Sequence, residues 1–268
     1  MKNNFYKNRF LIIRRVVQLS ILLLFIGASH WGWTILKGNL SSAKVFDSFY
    51  LADPFAVIQM LFAGRIPSWD IVIGALIIVV FYALFAGRSF CSWVCPMNII
   101  TDTAQWLRKR FKLNQNVLKI KKNTRYWMLG LSLVLSIILG VAAFEFISPI
   151  GVLHRAIIYG IGISWLSVLG ILFLDMFIKK NAWCGHLCPL GAFYSMISHR
   201  SMLKIYHKAD KCTSCWDCKE VCPEIQVLEI IAKKDGLIKS GECTNCGRCI
   251  ESCEENALKF SFLKINKS

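Results

Sequence analysis

Acidic side chains are scarce: 16 Asp and Glu stand against 32 Lys and Arg in 268 residues, a formal charge of +16. Charge of either sign is missing altogether from four stretches, Val16 to Leu36, Ile71 to Gly87, Tyr126 to Phe144 and Ala156 to Leu174. With 55% of the residues hydrophobic, these gaps argue against a small soluble electron carrier and for a membrane protein with basic loops. Also lacking is a basic patch on a recognisable nucleic-acid-binding module, because the positive side chains sit in loops beside apolar runs. Nucleic acid is therefore not expected as a partner, and the surplus charge fits topology and attraction to anionic lipid headgroups.

The four charge-free runs are 21, 17, 19 and 19 residues long, against the roughly 17 to 25 that span hydrocarbon. They predict four transmembrane helices. Lys2, Lys7, Arg9, Arg14 and Arg15 precede the first run, and nine Lys or Arg between Arg88 and Arg125 separate the second from the third. The other two connections hold only Lys37, Lys44 and Arg65, and then Arg155. By the positive-inside rule both ends of a multi-pass protein of the bacterial inner membrane face the cytoplasm. The first run is too long for the core of a cleaved signal, even with Arg14 and Arg15 before it as a twin-arginine cue.

Twelve cysteines are the other outstanding feature. Eight form two runs of C-x2-C-x2-C-x3-C: Cys212, Cys215, Cys218 and Cys222, then Cys243, Cys246, Cys249 and Cys253. In this spacing three thiolates of a run hold one [4Fe-4S] cluster and the fourth serves its neighbour. The expected ligand sets are Cys212, Cys215, Cys218 and Cys253 for the first cluster, and Cys243, Cys246, Cys249 and Cys222 for the second. A zinc pair prefers separated C-x2-C half-sites, which a third cysteine two residues on does not fit. Disulfides do not suit a reducing cytoplasm. The first run is followed by Pro223, whereas Glu254 follows the second, a departure that touches the chain path at Cys253 rather than the ligation. A membrane part, residues 1–200, is thus expected to precede a small α+β ferredoxin-like domain, residues 201–268, of the bacterial two-cluster type.

The remaining four cysteines are duplicated. Phe90-Cys91-Ser92-Trp93-Val94-Cys95-Pro96-Met97 follows the second apolar run, and Trp183-Cys184-Gly185-His186-Leu187-Cys188-Pro189-Leu190 follows the fourth. A weaker echo, Asp53-Pro54-Phe55 and Ser148-Pro149-Ile150, follows the first and third. The membrane part is therefore read as two repeated helical hairpins. Cysteines at i and i+4 share a helix face, so Cys91, Cys95, Cys184 and Cys188 are candidates for a further soft-metal site, whether iron-sulfur, zinc or Cu(I), or for redox thiols. Packing as small hydrophobes is the alternative.

At the outer boundary, His30 lies inside the first apolar run and Glu145 directly after the third, with Asp53, His154 and Arg155 in the outer connections. Ionisable groups at membrane depth are costly without a partner and mark functional sites. His30, Glu145 and His154 are the candidates for a quinol site, which needs hydrogen-bond acceptors and a group to take protons. Trp31 and Trp33 fit an interfacial aromatic belt, and Asp175 is expected to pair with Lys179 at i+4.

Four apolar runs, C-x3-C-P after the second and fourth, and two ferredoxin runs at the C-terminal end together resemble the NapH family of ferredoxin-type quinol dehydrogenase proteins, from the first run to Cys253. Related membrane polyferredoxins that support nitrous oxide reductase carry an added extracytoplasmic domain, for which no segment here is long enough. The resemblance implies an oxidoreductase component that oxidises quinol and feeds electrons, with a NapG-like iron-sulfur subunit, toward periplasmic nitrate reductase. Cytoplasmic clusters sit awkwardly with an acceptor some 30 Å of hydrocarbon away. That tension keeps two other readings: electron supply for maturing a copper or molybdenum enzyme, and a membrane anchor docking a soluble partner.

Overall fold

Leu, Ile and Val dominate the helix Arg9–Trp31, whose 23 residues make a rod about 35 Å long. The helical stretch Trp69–Trp93, 25 residues, is equally apolar. Both are long and apolar enough to cross a membrane, and only 22% and 17% of their most apolar windows is buried. A soluble protein's core helix would show the reverse, since burying apolar surface is what holds such a helix in place. The computed structural model describes residues 8–113, 118, 120–159 and 164–262; Lys2, Lys7 and Lys119 lie outside them.

Two of the four expected spans therefore appear as helices of spanning length. The third run gives the helix Thr124–Leu139, closed by Gly140 in the left-handed conformation (φ 63°), which glycine adopts without steric cost. Ser136 then accepts a hydrogen bond from the Ala143 N–H as the short helix Ala143–Ile147 begins. The fourth run holds the end of the helix Pro149–Tyr159 and the helix Ser164–Phe173; residues 160–163 between them lie outside the described residues.

The chain divides into two compact units. One comprises Gln18–Val80 and Cys95–Phe193. The connection after the first helix folds into an antiparallel meander of β1 (Leu36–Gly38), β2 (Ser42–Val45) and β3 (Phe49–Ala52). Asp53 then caps the helix Pro54–Phe62, its carboxylate accepting from the Phe55 N–H at 3.3 Å. Proline at the first helical position loses no hydrogen bond. Ser148 and Pro149 open the helix Pro149–Tyr159 in the same way, with Ser148 Oγ accepting from the Gly151 N–H.

That parallel continues along the chain. A π-helical turn at Tyr82–Ala86 follows the helix Trp69–Phe81, and another at Leu174–Ile178 follows Ser164–Phe173. Each C-x3-C-P motif lies shortly after such a turn. Local structure thus repeats in the order in which the sequence motifs repeat.

The other unit is built from the N-terminal residues up to Val17, Phe81–Val94 and the residues from Tyr194 onward. Its sheet runs in the order β5-β4-β6, with β4 (Leu203–His207) paired antiparallel to β5 (Gly236–Leu237) and β6 (Leu258–Phe262). Ile205, Val227, Leu228, Ile231, Ile238, Ile250 and Leu258 form its core together with the cysteines. Phe10 packs edge-on against Phe260, centroids 5.3 Å apart, and its backbone N–H donates to Glu251.

Candidate functional site

Each ferredoxin run ends its loop on one turn of helix, Asp217–Val221 and Arg248–Glu251. The residues before those turns, Trp216 and Gly247, are left-handed (φ 66° and 77°), which folds each loop back on itself. At Gly247 a Cβ would lie 2.6 Å from the Phe10 ring, so position 247 calls for glycine.

Cys212, Cys215, Cys218 and Cys253 line one cavity of about 110 Å³. Cys222, Cys243, Cys246 and Cys249 line a second, tighter one. The fourth cysteine of each run thus turns to the cavity of the other. Among the described residues no group of three His, Cys, Asp or Glu side chains is arranged to hold one metal ion. A cubane presents its irons at separate corners, so its ligands stand further apart than those of a single ion; the donor set and its placement fit iron-sulfur clusters. Burial pushes the Cys243 thiol up to about 11. Burial, then neighbouring thiols, raises Cys218, Cys222 and Cys249 as well.

The two cavities differ in exposure. At the second, Cys222, Cys243, Cys246 and Cys249 are all buried. At the first, Cys215 is exposed and Cys212 and Cys253 half-buried, beside an exposed Trp216 whose ring carries the Lys219 ammonium at 3.9 Å.

The first C-x3-C-P segment is hydrogen-bonded to the loop between Cys243 and Cys246. Ser92 Oγ donates to Thr244 O at 2.7 Å and Trp93 Nε1 to Asn245 O at 3.0 Å; both carbonyls lie between Cys243 and Cys246. Asn245 Nδ2 donates to Ala86 O and Leu203 O. Arg88, fully buried, pairs with Glu224 at 2.9 Å, donates to Glu242 O at 3.2 Å and interacts with the Cys91 thiol. None of these partners was legible as a site residue. The available signal was a lone arginine at the end of an apolar run and a carboxylate two residues after a ligand cysteine.

Cys91 belongs to the ferredoxin-bearing unit, whereas Cys95, Cys184 and Cys188 belong to the other. Cys95 and Cys188 are buried, Cys91 and Cys184 half-buried; Gln18 Nε2 donates to Cys95 O at 3.2 Å. Of the expected quinol residues, Glu145 accepts from Ser41 Oγ at 2.6 Å and lines a cavity of about 120 Å³ with Asn39, Ser41, Phe146 and Gly151. His154 is fully buried against Phe25, and neither ring nitrogen has a hydrogen-bond partner. His30 is exposed in the last turn of its helix. Asp53 is a helix cap, and the Arg155 side chain lies outside the described residues. Asp175 takes a hydrogen bond from the Trp183 N–H rather than pairing with Lys179, whose ammonium donates to Ile120 O.

A family of 4Fe-4S binding domains matches residues 68–114 and again 161–205, and a 4Fe-4S dicluster domain family matches 204–254. The ferredoxin-type protein NapH of Haemophilus influenzae is 43% identical over 262 residues, 96% of this chain and 91% of its own length. The chain belongs to the NapH family of ferredoxin-type proteins. NapH of Escherichia coli is 40% identical across 82% of the chain and 77% of its own length. The methylamine utilization ferredoxin-type protein MauN of Methylorubrum extorquens is 36% identical across 86% and 81%. No solved structure matches. This is a ferredoxin-type, 4Fe-4S electron-transfer protein.

Proposed function

We propose that this NapH-family protein oxidises membrane quinol and passes the electrons singly through two [4Fe-4S] clusters, toward a NapG-like iron-sulfur subunit and periplasmic nitrate reductase. The observation that carries the reading is the hydrogen bonding of the first C-x3-C-P segment, at the end of an apolar helix, onto the ligand loop Cys243–Cys246. It ties the segment that ends an apolar helix to the loop between Cys243 and Cys246, which supports electron passage there. Cys212, Cys215, Cys218 and Cys253 hold the first cluster; Cys222, Cys243, Cys246 and Cys249 hold the second. When bound, each cluster supplies one-electron chemistry at a potential set by its surroundings.

In this reading residues 1–200 form a bundle of four transmembrane helices, two repeated hairpins, and residues 201–268 the ferredoxin-like domain, with both chain ends in the cytoplasm. The doubled match to residues 68–114 and 161–205 supports the repeat. The only cysteines in those segments are Cys91, Cys95, Cys184 and Cys188, which supports a third centre or redox-thiol role for them. Glu145, in its polar cavity, accepts a quinol proton, and His30 and His154 complete the site. Titrating anaerobically purified protein with a reduced quinone analogue should bring up the EPR signals of both reduced clusters. Clusters that dithionite reduces and quinol leaves untouched would remove the quinol step.

A second reading is electron supply to the maturation of another enzyme's metal centre, for which the thiol pairs Cys91/Cys95 and Cys184/Cys188 would suit Cu(I); similarity to the methylamine utilization ferredoxin-type protein MauN supports a role outside nitrate reduction. Copper bound at Cys91 and Cys184 in protein indifferent to quinol would favour it.

A further inference from the structure

The two cluster sites have opposite electrostatic surroundings. Beside the first cavity stand Lys211 and three carboxylates, Asp217, Glu254 and Glu255, all exposed, with the Lys219 ammonium over the Trp216 ring. Around the second lie three cations and two carboxylates. Arg248 and Glu224 line it. Arg88 is locked to Glu224 behind it, and Glu242 is tied to Glu224 through the Gln226 amide. Lys204, 3% exposed, extends from β4 beside Ile205 of the lining and donates to Ser198 O at 3.1 Å. Arg88 also donates to Glu242 O, next to Cys243, at 3.2 Å.

Burial by itself works against reduction of the second site. One added electron is one added negative charge, and a low-dielectric environment penalises it. Buried cations offset that penalty strongly, because the same low dielectric lengthens and deepens their reach.

We propose that Lys204 and Arg88 are positioning residues whose buried positive charges hold the second cluster in a reducible range, with Glu224 as the opposing charge that fixes Arg88 in place. The inference rests on the two-cluster reading and not on quinol as the donor. Because Arg88 also touches Cys91, the setting is shared between the ferredoxin site and the C-x3-C-P segment.

The test is potentiometric EPR of the full-length protein, poised with chemical mediators, with signals assigned through Cys212→Ser and Cys222→Ser. Lys204→Met should move the midpoint of the second cluster downward and leave the first unchanged. Lys204→Arg should restore it. Glu224→Gln should move it upward. A purely structural role would shift both variants in one direction, disturb both clusters alike, or leave the midpoints unmoved; each of these outcomes overturns the proposal. Should Lys204→Met fail to assemble the second cluster, Glu224→Gln decides alone: an upward shift supports the proposal, and none or a downward one refutes it. Protein reduced by mediators but not by quinol would leave this inference standing and end the quinol reading, whereas material without iron-sulfur signals would end both.

Discussion

At the residue scale, the pairing of cysteines across the two runs is the most sharply testable feature. Cys222→Ser and Cys246→Ser should each damage the same EPR signal, although 24 positions separate them in the chain; damage to different signals would contradict the shared cavity. Both residues were legible, because the spacing of three and one is imposed by cluster geometry. The buried pair behind them was not. Arg88 resembles a topological charge at the end of an apolar run, and only folding brings it to Glu224 at 2.9 Å. Removing one partner of a buried pair typically costs about 3–5 kcal/mol. Arg88→Met should accordingly shed iron at a lower temperature than wild type, followed by the visible absorbance of the clusters.

Scale up to the element, and the contrast between two glycines becomes informative. Gly247 is left-handed and its absent Cβ is replaced by the Phe10 ring, while Gly130 sits in the helix Thr124–Leu139 with nothing near its own missing Cβ. Gly247→Ala should destabilise by about 1–3 kcal/mol through overpacking and strain, whereas Gly130→Ala should gain up to about 1 kcal/mol from helix propensity. Thermal loss of cluster absorbance ranks the two. Elements that follow from periodicity and charge, the apolar helices above all, were readable from composition. The meander β1-β2-β3 was not, since it consists of strands of three or four residues too short to show an alternating pattern. Nor were the π turns at Tyr82–Ala86 and Leu174–Ile178: they need one extra residue per turn, which leaves no mark on hydropathy. Glu145 was singled out by its cost at membrane depth, yet Ser41, its hydrogen-bond donor, belongs to the loop ahead of β2 and lies 104 positions away. Glu145→Gln is expected to slow quinol oxidation while cluster content stays normal; an unchanged rate would detach it from that chemistry.

On the scale of the whole molecule, the topology proposal carries its own check. A fluorescent reporter fused after the last residue should glow in intact cells, and a reporter that requires export should stay silent there; the opposite pattern would invert the assignment. Replacing Cys91 or Cys184 should abolish quinol-driven turnover and leave the two C-terminal EPR signals in place, and unaltered turnover would return these thiols to a packing role.

The exchange of last cysteines between the two cavities also dictates when the protein can be completed. Neither cavity gains its full set of sulfurs until synthesis has passed Cys249 and Cys253. By then every apolar segment has already left the ribosome. On the two-cluster reading, iron loading of these cavities is a closing act, performed on a chain whose hydrophobic helices have emerged. A message cut short just upstream of Cys249 would yield a polypeptide with all its apolar segments and with each of the two ferredoxin cavities one sulfur short.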